Sequence, residues 1–214
     1  MLGQPLKTST ETVAQWLAEY PSHATVQQRL AYATRESYAL NARRIEPHVG
    51  HLRLSDLSAT HTQSLYNVLL TTGISSNSVG QVCALLRKSV KTAVRRRLIY
   101  NNPCDSVDVP RGRARDIEPQ TVDQVRQVFR ATQHEELHPL WVTLVTTGLR
   151  IGEALGLKWE DIQWDEKRMT VRRSVQRQGD QGLVFKDAKT HRSRRWIHLA
   201  DETVRVLRRC YLKQ

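Results

Sequence analysis

Apolar side chains recur every three or four positions through the first half of the chain, which is the spacing of amphipathic helices. One segment has an end signal near Pro47, and another has Ser58 or Thr60 as its cap and Gly73 at its end. We therefore predict four helices, in segments 12–20, 34–50, 58–73 and 75–103.

The last and longest of these helices has two contrasting faces. Ser76 or Ser78 can cap its start, and the run Asn-Asn-Pro at 101–103 can stop it. One face is apolar and is formed by Val79, Val82, Leu86, Val90 and Ala93. The opposite face is cationic, with no acid at i+3 or i+4, and is formed by Arg87, Lys88, Lys91 and Arg95. A solvated surface is the common fate of a charge run, but an unneutralised stripe also suits a phosphate backbone, and we favour the second interpretation.

The middle of the chain has the composition of a linker. Residues 105–119 contain two prolines, one glycine and three arginines, with little apolar periodicity. We place a helical domain at 1–104, a linker at 105–117 and a second domain at 118–214. A dozen extended residues reach roughly 40 Å, which is enough to cross a DNA duplex.

The second half begins with helical spacing and then changes to the alternation typical of strands. Gly148 suits the end of one helix, Gly156 lies near the end of the next, and Asp201 can cap the last. The helical segments are 119–132, 138–148, 151–159 and 200–214, and the strand segments are 168–175, 183–189 and 194–199. We expect one three-stranded antiparallel sheet, so the predicted fold class is mainly α with a small antiparallel sheet.

The composition narrows the choice of partner. The net charge is +12 and the isoelectric point about 10.1, which favours a polyanion, either nucleic acid or an acidic membrane surface. No apolar run is long enough for a membrane span, and the N-terminus lacks the core of a signal peptide. The three cysteines lack metal-ligand spacing and are typical of reduced thiols in a cytoplasmic protein.

The position of Arg150 is unusual for a charged residue. Arg150 follows Gly148 closely and lies inside an apolar run at a predicted helix start, so we expect a buried or half-buried guanidinium that needs an anionic partner. Glu153, three residues on, can orient it. A structural ion pair and a phosphate-gripping arginine are equally compatible with this spacing.

Two segments of the second half have distinctive sequences, TTGLRIGEALGLKWEDI at 146–162 and KTHRSRRWIHL at 189–199. Together they resemble the tyrosine recombinase, or phage integrase, family. The first half is similar to that family's core-binding domain, so the likeness runs from about Thr12 to Leu207. The resemblance implies a helical, SAM-like core-binding domain followed by part of an α+β catalytic domain, the two closing around DNA. It implies no metal and no other cofactor.

The resemblance also implies roles for particular residues. Arg150 matches the family's first catalytic arginine, which grips the scissile phosphate, and Glu153 matches the acidic residue that supports it. Lys189 matches the hairpin lysine that protonates the departing 5′ oxygen, with Lys186 in reserve. DNA-backbone contacts are expected from the cationic face already described and from the linker arginines Arg111 and Arg113.

The chain also departs from the family pattern. The family's His-x-x-Arg box and nucleophilic tyrosine do not follow the hairpin, and Tyr211 is expected to be an ordinary packed helix residue. We therefore expect the truncated chain, taken alone, to form no covalent phosphotyrosyl link, so whether it is an enzyme stays open.

Three hypotheses are carried forward. The chain is the N-terminal portion of a site-specific recombinase or integrase, encoded by a mobile element, that cuts and rejoins DNA. Alternatively it is an inactive integrase remnant that occupies sites without cutting, or a basic helical adaptor for protein or RNA. The expected partner is double-stranded DNA rather than a membrane, in the cytoplasm. A monomer is expected without DNA, and assembly with other recombinase protomers on DNA is left open.

Overall fold

The computed structural model describes residues 10–23, 30–110, 112, 117–187 and 195–213. The chain divides into two compact units, Met1–Asp116 and Ile117–Gln214, and each has its own hydrophobic core. The first unit is helical, whereas the second combines helices with two small antiparallel sheets. The mainly α fold class with a small antiparallel sheet is therefore confirmed.

Four α-helices of the described first unit follow the predicted segments. They are α1 (Val13–Glu19), α2 (Tyr32–Val49), α3 (Ala59–Thr71) and α4 (Ser76–Arg95). Ser58 caps α3, because its hydroxyl accepts the His61 backbone N–H at 3.1 Å. Helix α2 runs through Pro47, since the missing N–H removes only one bond and Gly50 still donates to the Glu46 carbonyl at 2.9 Å.

Helix α4 differs from the prediction at both ends. Its cap is Ser75, whose hydroxyl accepts the Ser78 N–H at 3.3 Å, and neither Ser76 nor Ser78 has that role. The helix ends at Arg95, well before the Asn-Asn-Pro run. The reason is a Schellman motif built on Arg97, which has a φ of 59° where glycine is usual and lets the Leu98 N–H reach the Ala93 carbonyl at 3.0 Å.

The apolar face of α4 is the centre of the first core. Its five predicted residues are all fully buried, and they pack with the aromatic residues Trp16, Tyr20 and Tyr66. A 3-10 turn at Pro103–Ser106 closes one side of the core with Cys104. Cys83 and Cys104 are both buried free thiols, and burial raises the pKa of Cys104 to about 11.

The second unit contributes four more α-helices within the described residues. They are α5 (Val122–Thr132), α6 (His138–Thr147), α7 (Ile151–Leu155) and α8 (Asp201–Tyr211). Gly148 ends α6 with a left-handed φ of 64°, as predicted. Asp201 is not the cap of α8, because the capping position is Ala200, and the Asp201 carboxylate instead accepts a hydrogen bond from Lys167 at 2.7 Å.

Within the described residues the strands form two sheets, so the prediction of one three-stranded sheet was wrong. They are β1 (Ile162–Gln163), β2 (Arg168–Val171), β3 (Arg173–Arg177), β4 (Leu183–Asp187) and β5 (Arg195–His198). The three-stranded sheet has the order β1-β2-β5, with Met169 opposite Ile197, and β3 pairs separately with β4, with Val175 opposite Phe185.

The division between the sheets occurs at Arg172, which interrupts the predicted strand 168–175. Arg172 and Arg173 both pair with Asp161, at 3.6 and 2.9 Å. Because neighbouring side chains of a regular strand point to opposite faces, two guanidinium groups reaching one carboxylate require a bend. Asp161 is buried and also accepts the Lys158 backbone N–H at 3.0 Å, so the bend is held in place.

The second core lies between the three-stranded sheet and the helices. Its buried residues are Leu149, Ile162, Met169, Val171, Leu199, Val204 and Leu207. Across the parts of both units that the structure describes, no helix is long and apolar enough to cross a membrane.

Candidate functional site

Arg150 occupies the capping position at the start of α7, directly after the turn made by Gly148. Its backbone is extended, with φ −69° and ψ 148°, so Leu149 and Arg150 point to opposite sides. Leu149 enters the core, whereas the Arg150 side chain is 82% exposed. The expectation of a buried or half-buried guanidinium was therefore wrong: alternation along an extended segment places the charge in solvent.

Glu153 is the centre of a three-residue cluster with Arg150 and Arg195. Its Oε1 accepts hydrogen bonds from Nη1 of Arg150 and from Nη1 of Arg195, each at 3.2 Å. Its Oε2 accepts from the Arg150 backbone N–H at 3.0 Å and from Nη2 of Arg195 at 2.8 Å. Each carboxylate oxygen therefore joins residue 150 to Arg195. The Glu153 side chain is only 12% exposed.

These donors keep Glu153 ionised. The paired hydrogen bonds from Arg195 and, after them, the backbone N–H of Arg150 lower the pKa of Glu153 from its ordinary 4.5 to about 2, against an opposing effect of burial. The cluster therefore carries two positive charges and one negative charge at neutral pH. It can accept one anion without further proton exchange.

Two glycines let α7 lie directly on strand β3. A Cβ added at Gly152 would come within 2.7 Å of the Val175 carbonyl oxygen, and one at Gly156 within 3.1 Å of the Ser174 Cα. The contact at Gly152 is closer than a Cβ can approach a backbone oxygen, and the contact at Gly156 is tight, so the two glycines together let α7 lie close to the strand. Arg150 and Glu153 are thereby held on a rigid support although α7 has only five residues.

Arg195 was missed by the sequence analysis. It is one of three arginines in the segment RSRR, and nothing in its local spacing distinguishes it from its neighbours. Its partner is 42 residues away, so only the pairing of β5 with β2 brings the two together. Only a search for charged partners of Glu153 outside its own helix could have found Arg195.

The remaining predicted residues of the second unit have different positions. Lys189 lies outside the described residues, and Lys186 lies in β4, half-buried and opposite Ser174. Tyr211 packs against Trp159 and Trp164, with ring centroids 5.2 and 5.9 Å apart, as expected for an ordinary helix residue. Among the residues that the structure describes, no three His, Cys, Asp or Glu side chains converge as metal ligands do.

The cationic face of α4 is less uniform than predicted. Arg87 donates two hydrogen bonds to the Cys104 carbonyl, at 2.6 and 3.2 Å, and pairs with Asp105 at 3.1 Å. Lys88 donates to the Tyr38 hydroxyl at 2.9 Å. Lys91 and Arg95 are exposed, and within the described ranges neither forms an ion pair. Two linker arginines, Arg111 and Arg113, lie outside the described residues.

Comparison with known proteins shows what the chain is similar to. Residues 118–214, which contain the Arg150 cluster, match the sequence profile described as "Phage integrase family". The chain is 26% identical to a XerC-like tyrosine recombinase of Caldanaerobacter subterraneus subsp. tengcongensis over 163 residues, covering 73% of this chain and 40% of that protein. It is 28% identical to the integrase of Mycobacterium phage L5 over 195 residues, covering 90% of this chain and 51% of that protein. Residues 118–214 therefore match the phage integrase family, and the chain as a whole is similar to tyrosine recombinases and integrases.

Solved recombinase structures share this fold. The integrase of transposon Tn1549, in complex with a circular intermediate DNA, matches with a TM-score of 0.84 at 20% identity, covering 96% of this chain and 66% of that one. A lambda integrase dimer bound to a COC′ core site matches with a TM-score of 0.70 at 18% identity, covering 94% of this chain and 70% of that one. The present chain spans between 39% and 57% of the length of the curated recombinases that it matches.

Proposed function

We propose that this chain is the DNA-binding portion of a site-specific tyrosine recombinase or integrase, and that Arg150 grips a phosphate of the DNA backbone. The observation that carries the proposal is an exposed guanidinium whose orientation is set by a largely buried carboxylate. An arginine that merely stabilised the fold would place its donors in the protein. Here one of its five N–H groups contacts Glu153, and the side chain is otherwise directed towards solvent.

The chemistry of the cluster suits a phosphate. The planar guanidinium can offer two parallel N–H donors, which match the two oxygens of a phosphodiester. In the cleavage reaction of this family, negative charge accumulates on the oxygens of the attacked phosphorus, and fixed donors stabilise it. Arg150 would supply such donors, and Lys189, or Lys186 in its place, would protonate the leaving 5′ oxygen.

Backbone binding would add affinity without sequence information. The net charge of +12 and the exposed Lys91 and Arg95 on α4 supply cations for phosphates along the duplex. Arg87 and Lys88 are already engaged in the protein, so we assign them smaller contributions. The DNA-bound state of the Tn1549 and lambda integrases, which share the fold, supports DNA as the partner.

The 214-residue polypeptide taken alone is expected to bind without covalent attachment. No His-x-x-Arg segment occurs within residues 199–214, and Tyr211 packs against Trp159 and Trp164. Strand cleavage, exchange and assembly of protomers are therefore proposed only for a protein that also supplies those groups.

The first experiment is a gel-shift assay with duplex DNA that carries a nicked suicide site, run under native and then denaturing conditions. We expect a native shift that disappears in denaturant. Loss of a charge-assisted phosphate contact in Arg150→Ala should weaken binding by about tenfold. The matched control is Arg126→Ala, which removes an exposed arginine of the same unit that pairs only locally with Asp123. If Arg150→Ala and Arg126→Ala bound DNA with equal affinity, the proposed phosphate contact of Arg150 would be rejected.

The salt dependence of binding tests the contribution of α4. Lys91→Gln and Arg95→Gln should each flatten the plot of log affinity against log salt concentration by about 0.9. Arg53→Gln, at an exposed position on a different segment of the same unit, makes the same change of charge and is the control. An equal effect of all three substitutions would show only a general effect of net charge.

A further inference from the structure

We propose that Arg195 is a positioning residue: it holds the Glu153 carboxylate in one orientation and thereby fixes the direction of the Arg150 guanidinium. The proposal rests on the proposed function in one respect, namely that the ligand of Arg150 is a DNA phosphate. The proposal is motivated by one contact pattern: each carboxylate oxygen of Glu153 accepts hydrogen bonds from both residue 150 and Arg195.

The two arginines hold Glu153 with unequal strength. Arg195 makes a two-pronged contact, at 2.8 and 3.2 Å, from a side chain that is only 35% exposed. Arg150 makes one side-chain contact at 3.2 Å from a guanidinium that is 82% exposed. A single exposed pair contributes little and is easily broken by solvent, whereas a forked, partly buried pair restricts the carboxylate plane. The orientation of Glu153 is therefore set from the Arg195 side.

The two residues are supported by strands of different sheets. Arg195 is the first residue of β5 and lies opposite Val171 of β2, so its backbone is held by the three-stranded sheet. Glu153 is on α7, which is supported by the contact of Gly152 and Gly156 with β3 of the other sheet. The Glu153–Arg195 pair thus links α7 to β5, and a shift of either element would change the direction of Arg150.

Charge and orientation must be separated in any test. Arg195 also adds a positive charge near the proposed phosphate, so its removal would weaken binding through lost electrostatic attraction even if Arg195 had no positioning role. Arg195→Lys keeps the charge but loses the fork, whereas Arg195→Gln loses both. A positioning role requires that Arg195→Lys be impaired as well. Arg168→Gln is the matched control, because it removes a partly buried arginine of the neighbouring strand β2, which pairs with Glu166.

The first measurement concerns the protein without DNA. NMR titration of the Glu153 carboxyl should show its pKa rising from about 2 towards 4.5 in Arg195→Gln, because the largest stabilising interaction has been removed. Relaxation of the Arg150 Nε–H group should show higher mobility in Arg195→Gln and Arg195→Lys than in Arg168→Gln. Backbone amide spectra identify any variant that has unfolded. Unchanged Arg150 mobility in a folded Arg195→Lys protein overturns the proposal.

The second measurement is a double-mutant cycle on duplex DNA binding. If Arg195 acts through Arg150, then Arg195→Lys should weaken binding by several-fold in the parent chain and have almost no effect in an Arg150→Ala background. Equal losses in both backgrounds would show a separate, structural effect and reject the positioning role. If Arg150→Ala leaves affinity unchanged while Arg150 becomes mobile in Arg195→Lys, the positioning role stands and the proposed phosphate ligand fails.

Discussion

The close contact of α7 with β3 makes Gly152→Ala a sensitive test of how the site is supported. The added Cβ would lie 2.7 Å from the Val175 carbonyl oxygen, a backbone atom that cannot rotate away. Forcing a methyl group into such a contact typically costs about 1–3 kcal/mol. Replacing a helical glycine by alanine in itself stabilises by about 0.5–1 kcal/mol. The two effects leave a net destabilisation of about 0–2.5 kcal/mol, with α7 displaced from the strand.

The matched control is Gly80→Ala in α4, where an added Cβ meets no atom within 4 Å. That substitution should stabilise the first unit by about 0.5–1 kcal/mol. Urea denaturation monitored by tryptophan fluorescence reports mainly on the second unit, which has four of the five tryptophans. Amide hydrogen exchange reports on the stability of each unit separately. Because Arg150 and Glu153 move with α7, Gly152→Ala should also weaken DNA binding. Stabilisation of Gly152→Ala to the same extent as Gly80→Ala would refute the close contact.

Three further predictions concern charges and caps of the second unit. The depressed pKa of Glu153 contributes stability above pH 4.5, and this stability, at most about 3 kcal/mol, is lost as the pH falls towards 2. The unfolding free energy of Glu153→Gln should therefore vary less over that pH range than the unfolding free energy of the parent chain. Asp161→Asn leaves the Arg173 guanidinium, which is 14% exposed, without its main counter-charge. The substitution should lower the unfolding free energy by about 3 kcal/mol in chemical denaturation, and a loss below about 0.5 kcal/mol would contradict the anchoring role of Asp161. Thr121→Ala removes the hydroxyl that accepts the Gln124 N–H at 3.3 Å and should destabilise α5 by about 1 kcal/mol, which faster amide exchange in the first turn would reveal.

The local features of the fold were predictable from the sequence. The apolar face of α4, the left-handed Gly148 and the contact of Arg150 with Glu153 all depend on spacings of a few residues. The errors have different physical origins. The end of α4 depends on a left-handed arginine that no propensity favours, and the division of the strands at Arg172 depends on a carboxylate eleven residues earlier in the chain. Exposure of Arg150 was misjudged because an apolar neighbourhood in sequence was taken for burial.

The pairing of Glu153 with Arg195 also sets the time at which the site forms. The two residues are 42 positions apart, and closing a loop of that length costs roughly 3 kcal/mol of chain entropy. This cost is met only when β5 has paired with β2, so α7 on its own cannot orient Arg150. At a synthesis rate of about 5–20 residues per second, Arg195 follows Glu153 from the ribosome by roughly 2–8 s. A nascent chain therefore has the basic surface of α4 before the Glu153–Arg195 pair can hold the Arg150 guanidinium.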